Sequence, residues 1–284
     1  MIQILLLLPF ATPPADLVPA APVEAPSQDE DLKAKFKSFE EILKSKARED
    51  EAIGLLDEFV KAYRITENRI ASIDDSLDLG DGNEKELKAQ RKALVKEQEE
   101  IAEATFSCFH HKSRKAITEA NMQMWKAAAY SLGQMGPLGG HYLWKVFEDK
   151  KKKFRKEPDF LGLCLQQVGY THAYEAFTGE LVDLLDHHEY LFIAKAAEAL
   201  AQFGEAPGAL RKDAVETTVK LLAEYYEATI SDKEDIEAQE KYRKVGRPMM
   251  NALEALTGVS QSQPLDWVAW WNKNKKDKEI WADA

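Results

Sequence analysis

From residue 30 onward apolar residues recur at steps of three, four and seven, and no alternating strand pattern interrupts them, which predicts a chain built from α-helices. Leu56, Phe59, Tyr63, Ile70, Ile73 and Leu77 fall on one seam, and Gly80-Asp81-Gly82-Asn83 then breaks the helix with residues that tolerate left-handed backbone. Leu87, Leu94, Ile101 and Cys108 follow at intervals of seven. Two long helices joined by so short a turn must run antiparallel if they pack. Residues 30–112 therefore read as a helical hairpin with a preceding helix, its first long helix covering about 50–79. Ser38 to Glu41 has capping-box spacing but lies within a lysine-rich helical stretch.

Beyond residue 113 the pattern repeats. Lys126-Ala-Ala-Ala-Tyr-Ser-Leu-Gly-Gln-Met-Gly136 aligns with Ala194-Lys-Ala-Ala-Glu-Ala-Leu-Ala-Gln-Phe-Gly204 so that Ala128/Ala196, Ala129/Ala197, Leu132/Leu200, Gln134/Gln202 and Met135/Phe203 coincide. A weaker copy carries Leu161, Leu165, Gln167, Val168 and Gly169, and a looser one Ala252, Leu253, Leu256 and Thr257. The leucines 132, 165, 200 and 253 stand 33, 35 and 53 apart, so three units keep one period and the last contains an insertion. Paired alanines let neighbouring helices approach closely, the leucine fills the seam, and the closing glycine suits a left-handed helix end. Second helices are expected over Leu138–Phe147, Ala173–Leu185 and Leu210–Ile230.

These units, above all KAAAYSLGQMG and the stretch from Leu181 to Gly204, resemble HEAT-like repeat proteins of the phycobilin-lyase type. The resemblance covers residues 122–258. Ala255-Leu-Thr-Gly258 followed by Trp267-Val-Ala-Trp-Trp-Asn272 looks like the terminal module of some exported bacterial HEAT-repeat proteins. The expected fold class is all-α: a helical hairpin followed by a short HEAT-like α-solenoid over 113–284, with a Trp-rich C-terminal cap. A repeat resemblance identifies a fold and brings no activity with it.

Ahead of the helices, residues 2–11 form an uncharged apolar run too short to span a bilayer as a helix, and Val18-Pro19-Ala20 supplies small residues before a cut after Ala20. Residues 1–20 thus read as a signal peptide without a basic n-region, and 21–29 as a Pro/Ala-rich linker. Export to the periplasm or the extracellular space is expected.

Composition narrows the functional classes. The 284 residues carry 38 Lys+Arg against 49 Asp+Glu, a net charge of −11, with 45% apolar residues. That balance disfavours nucleic acid and anionic membranes as partners. Two cysteines, Cys108 and Cys164, exclude a disulfide-rich scaffold, although export would permit a bridge between them.

Four groups hold candidate chemistry. Trp267, Trp270 and Trp271, at i, i+3 and i+4 behind Pro264, suit either an aromatic ligand platform or, as favoured, a cap that buries them on the last repeat. The run Lys150–Lys156 could grip phosphate or an acidic partner, but reads as a helix end looping through solvent. Cys108 and His111 would share a helix face as metal ligands, yet no second ligand pair stands at a recognisable spacing, and Cys108 continues an apolar stripe. His187 and His188 with Asp183, Asp186 and Glu189 form the one acid/imidazole cluster, at an ordinary repeat turn. No nucleophile motif, phosphate-cradling loop or HExxH occurs. The expectation is a non-enzymatic scaffold, without cofactor or metal, binding another protein on the solenoid's concave face. A lyase-like small-molecule binder centred on His187, His188 and Glu189, or a structural spacer, is the alternative, and the hairpin offers a surface for a homodimer.

Overall fold

The structure, a computed structural model, describes residues 28–45, 47–149 and 153–283; the expected leader and the linker up to residue 27 lie outside them. The chain is all-α. Among the described residues eleven α-helices follow one another: α1 (Gln28–Lys44), α2 (Glu49–Leu79), α3 (Glu84–His110), α4 (Glu119–Gly133), α5 (Gly136–Phe147), α6 (Pro158–Tyr170), α7 (Tyr174–Asp183), α8 (Tyr190–Leu200), α9 (Gly208–Ser231), α10 (Ile236–Thr257) and α11 (Pro264–Asn274).

Local chemistry sets the helix ends. Gly80 closes α2 in the left-handed region at φ 71°, and Asn83 opens α3 by accepting a hydrogen bond from the Lys85 backbone N–H. Thr118 caps α4 and Asp235 caps α10 in the same way. Ser38 and Glu41 sit inside α1, so their spacing marks no helix start.

The helices form two rows. α2, α4, α6, α8 and α10 stack in sequence, each against the next, while α3 meets α5, and α7 meets α9, which meets α11. The repeat positions form the seam of the first row. Ala128, Ala129, Leu132, Leu165, Ala196, Ala197, Leu200, Ala252 and Leu253 are fully buried, and one apolar core runs from Leu32 to Trp271. The α2–α3 hairpin is the first pair of this stack, with Leu56, Phe59 and Tyr63 buried beside α4. Its far end leaves the core: Ile70, Ile73, Leu77 and Leu87 are only partly covered, and Leu79 is 76% exposed.

The closing glycines serve different purposes. Gly136 takes the expected left-handed conformation at φ 55°, whereas Gly169 and Gly204 do not. Gly169 is there for space, since a Cβ on it would stand 2.6 Å from the Ala199 Cα, so α6 and α8 touch backbone to backbone. The longer last interval arises because α9 and α10 run to 24 and 22 residues, with Pro248 accommodated inside α10.

Arg114, in the connection between α3 and α4, ties the first helices together. Only 3% exposed, it donates to the Ile42, Leu43 and Ser45 carbonyls at the end of α1, to the Asn121 amide oxygen of α4 and to the Glu49 carboxylate of α2. Burial opposes ionisation of Glu49, but bonds from its own backbone N–H and from Arg114 outweigh that and hold its carboxyl below the usual range.

Candidate functional site

An open trough of about 910 Å³ lies where the C-terminal ends of α4 and α6 meet the middle of α2. The stacking of α2, α4 and α6 brings these ends side by side, although α4 stops one residue after its unit leucine, Leu132, and α6 five after Leu165. Arg64 and Glu67 come from α2, Tyr130 and Gln134 from the end of α4, and Gln166, Gln167, Tyr170 and His172 from the end of α6 and its turn. Tyr130 and Tyr170 are 50% and 44% exposed, large rings that the core leaves outside.

The rim is braced by side-chain hydrogen bonds. Arg64 Nη2 donates to Gln134 Oε1 at 2.7 Å, and Gln134 Nε2 donates to the Tyr130 carbonyl at 3.2 Å. On the other side Gln166 Nε2 donates to Glu198 at 3.0 Å, and Lys195 reaches the same carboxylate oxygen at 2.7 Å. His172 holds the turn after α6 at φ 51°, an uncommon conformation for a residue with a Cβ, and its Nδ1 lies 3.1 Å from the Tyr174 hydroxyl. Behind the trough, burial first and Glu67 second push the Tyr63 phenol up to about 12, so it stays neutral. The lining contains one guanidinium and one carboxylate, and otherwise amides, phenols, His172, the Thr171 hydroxyl and the small or apolar Gly133, Gly136 and Pro137.

Gln167 forms the floor. It is 6% exposed, and Gly133 is small because a Cβ there would collide with the Gln167 amide oxygen. None of these trough residues was singled out as a site in the sequence. The signal was present in the repeat, which places glutamine two residues after the core leucine at Gln134, Gln167 and Gln202.

The four groups read from the sequence are placed elsewhere. Trp267 and Trp271 are 1% and 8% exposed, on a helix that packs against α9. Trp270 and Trp281 sit edge-to-face beside them, with centroids 6.2 Å apart. This geometry closes the stack and offers no open aromatic platform. The Trp267 indole N–H has no hydrogen-bond partner among the described residues.

The lysine run follows the expected solvated loop at Arg155 and Lys156, which are exposed, and departs from it at Lys153 and Phe154. Lys150–Lys152 lie outside the described residues, but Lys153 and Phe154 turn inward. Lys153 Nζ donates to the Phe109 and Arg114 carbonyls, both at 2.8 Å, and lies 3.9 Å from the Trp125 ring centre. Burial lowers the Lys153 ammonium to about 8.

Cys108 and His111 do not share a helix face, because α3 ends at His110 and His111 takes extended backbone angles. Cys108 is fully buried under Trp125, whose indole N–H donates to the Cys108 carbonyl at 3.0 Å. Cys108 and Cys164 are both free thiols, raised by burial, so the optional bridge is not formed. Among the described residues no group of three His, Cys, Asp or Glu is placed to hold a metal ion.

The acid/imidazole cluster does not converge. His187 and His188 stack at 4.1 Å, His187 Nδ1 accepts the Glu189 backbone N–H, and Asp186 accepts the Tyr225 hydroxyl. His188 and Glu189 side chains are 81% and 57% exposed, and the ring of His187 leans on Phe192. These side chains lie over a turn, where His188 Nε2 stands 3.8 Å from the Glu189 carboxylate, largely in solvent. Among the described residues no helix is long and apolar enough to cross a membrane. Comparisons with protein-family models, with curated proteins and with solved structures return no match.

Proposed function

We propose that this chain is a non-catalytic binding scaffold, a HEAT-like α-solenoid that holds a segment of a partner protein in the trough across α2, α4 and α6. The observation that carries this reading is the pair of half-exposed tyrosines, Tyr130 and Tyr170, flanking an open trough with braced rims. Tyrosine provides a large, stiff contact surface at low conformational cost, and a trough open along one side suits a chain passing over it. The candidate acid/base groups lie over a turn elsewhere, which favours binding over turnover.

Export of the chain belongs to the same reading and rests on the apolar run 2–11 and the small residues before Ala20. The scaffold would then meet its partner outside the cytoplasm.

Selection from a random-peptide display library on the immobilised full chain tests the binding role, with a Tyr130→Ala/Tyr170→Ala chain as counter-bait. Peptides retained by the native chain and lost on the double variant are expected. Recovery of none, or of peptides that hold both baits equally, would overturn the role.

A further inference from the structure

We propose that the turn between α7 and α8 is an acid-sensitive latch, closed while the His187 imidazole is neutral and released when that ring takes up a proton. The inference is independent of the trough and of what binds there.

The latch is a hydrogen bond that only an unprotonated ring nitrogen can make. His187 Nδ1 accepts the Glu189 backbone N–H at 2.9 Å, so the proton of the neutral ring sits on Nε2. Glu189 is the N-cap of α8, and its own side chain makes no capping bond there. The imidazole nitrogen instead satisfies the N–H at this helix start. The His187 backbone N–H bonds the Leu184 carbonyl at 3.1 Å, which ties the short 3₁₀ turn Leu184–Asp186 to the same residue.

A proton on Nδ1 would point a donor at a donor, and three features make the resulting cation costly. His188 stacks on His187 with ring centres 4.1 Å apart, so a charge on one ring opposes a charge on the other. The His187 ring is partly buried and meets the ring of Phe192 edge-on at 5.2 Å. Both imidazoles precede the N-terminus of α8, the positive end of its dipole. Burial first and His188 second hold the His187 pKa below the ordinary 6.5, against the opposing pull of Glu189. The other ionisable groups around the turn are Asp183 and Asp186, where α7 ends, with Glu224 of α9 and Lys241 of α10. Asp186 is engaged by the Tyr225 hydroxyl at 3.2 Å.

The sign of the pH response follows. A folded pKa below that of the open turn means that the closed turn is most stable above about pH 6.5 and weakens as pH falls below it. Opening should rise about tenfold between pH 7.5 and 5, with about thirtyfold as the ceiling for one group of ordinary pKa. Release would uncover Phe192, which stands edge-on to Phe147 of α5 at 5.4 Å.

Amide hydrogen exchange of the full chain at pH 7.5 and 5, read as protection factors, tests the latch together with imidazole ¹⁵N NMR. Protection should fall about tenfold at the Glu189, Phe192 and Ile193 amides, while amides in the middle of α2 keep theirs. The ¹⁵N shifts should show an unprotonated Nδ1 at pH 7.5 that titrates below pH 6.5, in step with the Glu189 amide. His187→Asn offers an amide oxygen to the same N–H and does not titrate, so its protection should be equal at both pH values. His188→Gln removes the like charge, so the fall should shrink. A native chain equally protected at both pH values would overturn the latch. So would an acid loss that persists in His187→Asn, or a native His187 that titrates at 6.5 or above with the Glu189 amide still protected.

Discussion

Arg114 and Lys153 show how two cations become structural in an acidic chain. Arg114 has five acceptors on three helices, a fork geometry that lysine cannot copy. Arg114→Met should cost about 3 kcal/mol or more, because three helix-end carbonyls and a part-buried carboxylate lose their donor. Arg114→Lys should recover only part of that loss. Urea unfolding followed by circular dichroism measures both, and an Arg114→Met midpoint equal to native would refute the clasp. Lys153 predicts a pH dependence of definite sign. Its folded pKa of about 8 lies below the ordinary 10.5, so between those values the unfolded chain binds more protons. The stability of the native chain relative to Lys153→Met should therefore rise from pH 7.5 to 10. The neutral amine keeps two N–H donors for the Phe109 and Arg114 carbonyls, which is why deprotonation does not break the contact. A relative stability that stays flat or falls with pH would contradict this burial.

At the scale of the helices, Gly169 makes the sharpest forecast. Its missing Cβ lets α6 lie on Ala199, so Gly169→Ala must push two first-row helices apart. A loss of about 2 kcal/mol is expected, in the range for overpacked cores. Thermal melts check it, and an unchanged melting temperature would show that the row can shift freely. Most helices were legible beforehand because their signals are local. The seven-residue steps gave α2 and α3 nearly to the residue, and Gly80 and Asn83 marked the turn. The paired alanines identified α4 and α8 as members of one row. What stayed hidden is non-local. Nothing next to Arg114 in the chain shows that it reaches back to Ile42, or that Lys153 folds under Trp125 rather than staying with its charged neighbours. The glutamine column was visible, but exposure separates its members: Gln134 projects onto the rim while Gln167 lies beneath it. Register along the helix, set by where α4 and α6 end, decides between them.

For the whole molecule, the hairpin and the repeats share one stack, with a continuous core from α1 to α11. The trough depends on that continuity, since α2 supplies one wall and the repeats supply the floor and the other wall. Under the proposed binding role, the buried tryptophans close the end of the stack, the turn at His187–Glu189 lies away from the trough, and the contacts with a partner fall at the ends of α4 and α6. Amide hydrogen exchange of the full chain, with and without a saturating display-selected peptide, tests this most directly. The account predicts added protection over residues 130–137 and 166–174, and none over 187–192 or 264–274. Protection confined to either of those latter segments, with the trough unchanged, would contradict it.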